Sequence, residues 1–338
     1  MGNQVTSLIR SDRAPNWQDQ LSDLITDPEE LLNLLHLDPE TCPYSLAALS
    51  QFPLKAPRPF VERIERGNWH DPLLKQIWPA IEEQSKSESF VPDPLDEQNF
   101  NPVPGLLHKY QGRVLLTAAP HCAIHCRYCF RRHFDYRANS PSRKQWDSAF
   151  SYIAEDSSIE EVILSGGDPL ALSDRQFSWL MQQLAGIEHL TAVRIHSRLP
   201  IVIPRRVTAE LLQCLSESRL RIVMVVHCNH ARELDPAVTD GFSSLGAIGV
   251  TMLNQSVVLK DVNDNSEALT NLNKALFAHN VLPYYLHMPD QVAGTEHFMV
   301  SDQHAKALIK TLHATLPGYL VPRLVRENPG ERGKTRIA

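Results

Sequence analysis

From Arg113 onward, short aliphatic and β-branched runs alternate with amphipathic stretches. The runs are RVLLTAA, EEVILSG, AVRIHS, RIVMVV, GVTMLN, LPYYLH and GYLVPRLV. Between them apolar residues recur at helical intervals near 143–155, 173–186, 208–217, 235–247, 265–279 and 302–314. Nearly continuous apolar strands, each followed by a helix, predict parallel strands covered by helices. Six such units and a last strand predict an α/β fold of partial (β/α)6 barrel type, open rather than closed by eight units. Periodicity alone does not settle closure, so a doubly wound sheet stands as the alternative.

The first hundred residues have a different rhythm. WQDQLSDLITDPEELLNLLHL carries Leu21, Leu24, Ile25, Leu31, Leu32 and Leu35 at helical intervals, with Asp27 and Pro28 as N-cap and first-turn residue of a second helix. Prolines 53, 57, 59, 92, 94, 102 and 104 then break any longer element. The expected organisation is a helical accessory region over 1–105, the barrel over 106–326 and a tail over 327–338. No internal repeat, charge block or low-complexity segment interrupts it.

A chain of 338 residues fits one α/β barrel with an appended segment. A net charge of −6 with a pI near 6.2 leaves no extended basic surface, so small molecules or a protein partner are expected and nucleic acid is not. Residues 1–20 lack an apolar leader core, and no stretch approaches the ~18 apolar residues of a membrane helix; a soluble cytoplasmic protein is expected. The run Met1 to Thr6 fits a myristoylation pattern short enough to match by chance, and is set aside. Six cysteines without a leader favour metal or redox chemistry over disulfides. Cys42, Cys214 and Cys228 have no ligand spacing.

The other three do. Cys122, Cys126 and Cys129 in HCAIHCRYCF have C-x3-C-x2-C spacing, just after the first strand, where β/α enzymes place their chemistry. Iron–sulfur clusters are usually held by four thiolates. A compact triad with no fourth Cys nearby leaves one iron for a ligand, much as an open position marks a catalytic zinc. The spacing, with Tyr128 before the third Cys, resembles that of radical S-adenosylmethionine (SAM) enzymes, whose cofactor chelates the fourth iron of a [4Fe-4S] cluster. Zinc with His121 or His125 as fourth ligand, or three plain buried thiols, are the alternatives.

Further polar groups stand at later strand ends. Ser165-Gly166-Gly167-Asp168 follows the second strand, and two glycines there permit close backbone approach, to a ligand or simply within a loop. His196, Ser197 and Arg198 leave the third, His227 and His230 the fourth, and Asn254 and Gln255 the fifth. Each alone suits a structural role; their shared place favours one converging site. Lys334, in the Gly-rich run past the last strand, is either solvated charge or a flexible lysine able to enter the barrel mouth and form a Schiff base.

In order, CAIHCRYCFRRHF, LSGGDPL, HSRLPIVIP, NQSVVLKDVND, PYYLH, DQVAGTEHF and PGERGKT resemble the landmarks of the lysine 2,3-aminomutase family, over about residues 95–335. The resemblance implies a radical SAM partial barrel, a [4Fe-4S] cluster on Cys122, Cys126 and Cys129, S-adenosyl-L-methionine and pyridoxal 5′-phosphate. It makes Lys334 the Schiff-base lysine and catalytic residue. Tyr110 and Arg113 become the residues that pack on the pyridoxal ring and bind its phosphate. Ser165, Gly166, Gly167, Asp168, Ser197, His227 and Gln255 become cofactor contacts. Arg131 resembles the partner of the substrate carboxylate, a task suited to a planar fork. Asp290 and Glu327 resemble the pair that holds a lysine ε-ammonium, Glu327 standing where Asp is usual.

Two departures separate branches. Free-standing clostridial-type members carry a C-terminal extension with a zinc-binding Cys cluster and a Cys where this chain has Asn265. Here the sequence stops four residues after Lys334, so that zinc and those oligomer contacts are not expected. The short form resembles the bacterial branch that makes (R)-β-lysine for elongation factor P. Expected partners are L-lysine, an electron donor such as flavodoxin or ferredoxin, and functionally elongation factor P and its lysine ligase. The competing expectations are an aminomutase for another amino acid such as glutamate, which two distal carboxylates would repel, and a non-catalytic metal-binding protein on the same fold.

Overall fold

The computed structural model describes residues 16–41, 44–85, 87–134, 143–331 and 333–338; Cys42 and the Met1 to Thr6 pattern lie outside them. Two residues of β1 (Leu24–Ile25) pair antiparallel with β2 (Ala56–Pro57) near the start. The main sheet holds β3 (Leu106–Tyr110), β4 (Arg113–Ala119), β5 (Glu161–Gly166), β6 (Ala192–Ser197), β7 (Arg221–Val226), β8 (Thr251–Val257), β9 (Leu282–His287), β10 (Arg323–Arg326) and β11 (Thr335–Arg336), neighbours in chain order. From β4 to β10 every pairing is parallel. Both edges are antiparallel: β3 folds back on β4, and β11 on β10. Among the described residues no backbone ladder closes the sheet, but its ends meet through side chains, since Tyr110 on β3 donates to Glu327 just past β10 at 2.7 Å. An open α/β barrel results, as the strand–helix alternation predicts.

Helices over Arg143–Glu155, Asp174–Ala185, Ala209–Ser216, Pro236–Ala247, Ser266–Ala278 and Asp302–Thr315 fill the predicted intervals. Their starts follow from capping: Ser173, Thr208, Asp235, Asn265 and Ser301 each accept a hydrogen bond from a first-turn N–H. Asn265, the departure noted above, thus serves as an N-cap. No described helix is long and apolar enough to cross a membrane.

The strands are less uniformly apolar than their runs suggested. In β6, Val193 and Ile195 are fully buried against the helices, whereas Arg194 and His196 alternate with them on the barrel's inner face. Gln255 on β8 and Tyr285 and His287 on β9 share that inner face. Period-2 alternation here separates an apolar outer layer from a polar interior. GYLVPRLV also begins differently: Gly318–Leu320 is a 3-10 turn, and the strand starts only after Pro322, which has no N–H for a ladder.

At the start, helix Trp17–Ser22 stops at Asp23, so Leu24 and Ile25 enter β1 rather than extending the helix; Asp27 caps the next helix as expected. Trp17, Phe60, Leu73 and Ile77 belong to the same buried cluster as Val114, Leu164, Ile195 and Met224 from the strands. A second cluster gathers Leu308, Leu312 and Leu324, and Ile337 and Ala338 pack against it.

Candidate active site

The three cysteines lie on the loop leaving β4, at the C-terminal end of the parallel strands. The preceding segment shapes this loop. His125 N–H bonds to Lys55 O and Arg127 N–H to Gln76 O, both at 2.9 Å, and the His125 ring stacks on Phe52 with centroids 4.5 Å apart. Arg127 and Arg132 both donate to the buried carboxylate of Glu83. Arg198, from the end of β6, donates to Cys126 Sγ at 2.7 Å and to the Tyr128 hydroxyl at 2.9 Å. Its other nitrogen is tied to Gln76 at 2.7 Å and Glu233 at 3.0 Å.

Two glycines, Gly166 ending β5 and Gly167 following it, answer to β4 and its exit. A Cβ on Gly167 would lie 2.5 Å from His121 O and 2.6 Å from Ala119 O, and one on Gly166 would lie 2.5 Å from Thr117 Cγ2. Only glycine lets the two strand exits touch, and Gly166 has φ +92 besides. Asp168 is then fully engaged: Oδ1 accepts from Ser197 Oγ at 2.6 Å and Leu170 N–H at 3.0 Å, and Oδ2 accepts from Arg198 N–H at 2.8 Å and Leu199 N–H at 3.0 Å. Asp168 and Ser197 therefore position the β6 exit through each other.

Inside the barrel, Gln255 brings its amide nitrogen 2.8 Å from His227 Nε2 and 3.5 Å from His196 Nδ1. Burial first, then Arg198 and Arg131, push His227 down to about 3, so its ring is neutral and accepts from the amide. The Nε2 atoms of His196 and His287 are buried without a hydrogen-bond partner among the described residues. Asn254 and His230 do not join this set. Asn254 faces outward, bonding Cys228 and Ser256, and His230 caps the turn at Ala231–Glu233.

Lys334 is held rather than loose. β11 pairs with β10, Asn328 donates to Thr335 Oγ1 at 2.9 Å, and Ile337 N–H bonds to Leu324 O. Lys334 Nζ consequently sits 2.6 Å from Glu327 Oε2 and 5.8 Å from the centroid of Tyr285. Glu327 Oε1 takes the Tyr110 hydroxyl at 2.7 Å and Lys109 Nζ at 3.2 Å. Burial would raise Glu327, but Lys334, Tyr110 and Lys109 outweigh it and hold the carboxyl at about 2. Arg113 lies over the Tyr110 ring at 4.6 Å, and both line one cavity with Glu97, Lys109 and Glu327.

Asp290 behaves oppositely. No side-chain hydrogen bond joins it to another described residue, and burial followed by the charge on Glu327 pushes it up to about 7. Arg131 is already paired: its Nε and Nη2 meet Glu97 at 2.8 and 2.5 Å, and Nη1 reaches Ser165 Oγ at 3.2 Å.

The site thus joins a three-thiol loop, a polar barrel interior and a lysine at the sheet's open seam. The Radical SAM superfamily signature matches residues 116–224. An L-lysine 2,3-aminomutase of Escherichia coli K12 is 48% identical over 323 residues, covering 95% of this chain and 94% of that one. This chain belongs to the lysine 2,3-aminomutase family. A Haemophilus influenzae relative of the same name is also 48% identical, with 96% of each chain covered. The Clostridium subterminale member is longer: 33% identity spans 95% of this chain and 77% of that one. As a radical SAM isomerase of this family, the protein uses a [4Fe-4S] cluster and S-adenosyl-L-methionine.

The residues present suit these groups. Burial and the neighbouring Asp168, Cys129 and Cys126 push the Cys122 thiol up, and burial and Cys126 push Cys129 up to about 12, so these two thiols need the positive charge of irons to ionise. Among the described residues no three His, Cys, Asp or Glu are gathered around one ion's position; a cluster gives each thiol its own iron. The interior histidines with unpartnered nitrogens and the cavity lined by Lys109, Tyr110 and Arg113 suit a second, anionic aromatic cofactor.

Sequence reasoning missed Glu83, Gln76, Glu97 and Glu233. A signal for Glu83 and Glu97 was present: Arg127, Arg131 and Arg132 crowd the Cys loop, and buried guanidinium groups require carboxylates.

Proposed function

We propose that this enzyme converts L-α-lysine into (R)-β-lysine by 1,2-amino migration, with Lys334 as the pyridoxal phosphate lysine. The observation that carries this reading is Glu327 holding an alkylammonium, that of Lys334, at 2.6 Å beside the unpaired carboxyl of Asp290. The terminal ammonium of a lysine substrate is the same chemical group. A glutamate side chain would instead meet two carboxyl groups.

When bound, pyridoxal phosphate supplies the electron-delocalising imine chemistry and the cluster with SAM supplies the hydrogen-abstracting radical. The chain's own residues do the rest. Arg113 and Lys109 offer charge to a phosphate, and the Tyr110 ring, with Arg113 above it, offers a stacking face. Gln255 and neutral His227 present a donor and a ring without adding charge to the interior. Arg131 anchors the α-carboxylate, and Asp290 with Glu327 anchors the far ammonium, so that C2 and C3 are held between them. The Tyr110–Glu327 contact closes the seam against water.

An electron donor of flavodoxin or ferredoxin type, a cytoplasmic setting and delivery of the product to elongation factor P complete the proposal, supported by the resemblance to the short bacterial form. The test is anaerobic reconstitution followed by chiral mass analysis of products from lysine and glutamate, with borohydride trapping to locate the pyridoxyl adduct. (R)-β-lysine and an adduct on Lys334 are expected. Turnover of glutamate alone, or an adduct on another lysine, refutes the reading.

A further inference from the structure

The loop that carries Asp290 rests on the cysteine loop. Beyond β9 the chain turns tightly at Asp290, whose O accepts from Val292 N–H at 2.9 Å, and Thr295 Oγ1 donates to Val292 O at 2.8 Å. The Asp290 side chain has no hydrogen bond to another described residue, so its place is set by where this backbone is held. Two sets of contacts hold it. Val91 of the accessory region donates its N–H to Gln291 O at 3.0 Å and accepts from Ala293 N–H at 3.1 Å. Just past Cys129, two consecutive residues reach two consecutive carbonyls. His133 Nε2 lies 3.1 Å from Ala293 O, a contact that puts the ring proton on Nε2, and Arg132 Nη1 donates to Gly294 O at 2.9 Å. A Cβ on Gly294 would lie 2.9 Å from that Nη1, so a larger residue would push the guanidinium off the carbonyl. Phe298, further along, meets Tyr128 edge-on with centroids 6.2 Å apart. Arg132 is itself fixed, donating to Glu83 Oε2 at 2.6 Å and Arg127 O at 3.2 Å, with its side chain almost wholly buried.

We propose that Arg132 and His133 are positioning residues for substrate recognition: by holding the Gly294 and Ala293 carbonyls, they set where Asp290 meets the terminal ammonium of the substrate. A displacement of about 1 Å at a binding group can cost up to about a hundredfold, even when its cause touches no substrate. The loop that bears the cluster cysteines then also places the far end of the substrate pocket. The inference rests on Asp290 holding that ammonium, the role the proposed function assigns to it.

Titration of L-lysine and of L-norleucine, which is lysine without its terminal amine, into reconstituted holoenzyme with its cluster oxidised separates the possibilities. His133→Ala, a change at an exposed residue, should weaken lysine about threefold to tenfold and leave norleucine unchanged. Arg132→Lys keeps a charge beside Glu83 but loses the fork, and should weaken lysine about tenfold or more, again sparing norleucine. Where that variant folds poorly, His133→Ala decides alone. In an Asp290→Asn background neither change should add much, because the group they position no longer carries charge. Equal weakening of both ligands would mean a general packing role and would overturn the inference. A preference for lysine over norleucine that is lost in Asp290→Asn but kept in both other variants refutes the inference alone. If Asp290→Asn keeps that preference, the ammonium is held elsewhere, and the reading of Asp290 falls together with the inference.

Discussion

Replacing Asp290 by Asn should make the cofactor-free protein more stable and the enzyme worse, in a pH-dependent way. The carboxyl is pushed from 3.8 to about 7, mainly by burial and then by Glu327, and has no hydrogen-bond partner among the described residues. Below about pH 4 both folded and unfolded states hold the proton and Asp290 costs nothing. Between 4 and 7 only the folded state keeps it, so stability falls as pH rises, and above 7 the penalty is constant. The shift is about 3 units at ~1.4 kcal/mol each, which gives an upper bound of about 4 kcal/mol at pH 8. Asp290→Asn should recover roughly 2–4 kcal/mol at pH 8 and almost none at pH 4. Denaturant unfolding of both proteins at the two pH values measures it. Lysine turnover should meanwhile drop by roughly one to two powers of ten, since a charge-assisted contact to the ammonium is worth ~1.5–3 kcal/mol. An equal stability change at both pH values would refute the burial argument, and undiminished turnover would show that the ammonium is held elsewhere.

Glu83→Gln leaves two buried guanidinium groups short of their carboxylate, so a loss of about 3–5 kcal/mol in unfolding free energy and poorer iron retention are expected; intact stability and iron content would show that the clamp is dispensable. Arg198→Gln removes a cation and a donor from Cys126 Sγ, and a redox titration followed by electron paramagnetic resonance should find the cluster midpoint more negative. Glu327→Asp shortens the arm that reaches Lys334, Tyr110 and Lys109 at once, so cofactor-normalised lysine turnover should fall modestly, and a rise would show that the longer arm is not matched to this pocket.

How far the sequence announced this molecule depends on whether the cause is local. Helix intervals were legible because caps and periodicity act within a few residues: Asp27, Ser173 and Asn265 signal their helices in the chain itself. The polar inner face of β6 escaped the sequence reading although Arg194 and His196 alternate with Val193 and Ile195, because the apolar content of the other runs masked it. β3 was not announced, because among the described strands it pairs with β4 alone and its hairpin is turned by Gln111 and Gly112 in a stretch dominated by prolines upstream. The need for glycine at 166 and 167 has a cause the sequence does not display, the close approach of Thr117 on β4 and of the Ala119 and His121 backbone. Arg131 pairs with Glu97, 34 residues away, and Arg198 with Gln76, 122 away; such long-range pairs leave no periodic trace.

The open sheet explains why so many charges gather at Lys334. A closed barrel would join β3 to β11 by backbone hydrogen bonds and need no side chains to finish it. Here both edges are antiparallel strands, and the gap between them is bridged by Tyr110 and Lys109 from one edge and Glu327 and Lys334 from the other. Ionic and hydroxyl contacts can exchange partners without unpairing a strand, which a backbone ladder cannot. Under the proposed function, such a seam would let Lys334 give up its ammonium while Glu327 turns to that of the substrate. Burial keeps Asp290 reluctant to ionise until a cation arrives, so on the same proposal the carboxyl pair would favour a cationic substrate over an empty pocket. Substrate choice, as proposed, and closure of the seam would then depend on the same carboxylate, Glu327, a coupling that the open sheet makes possible.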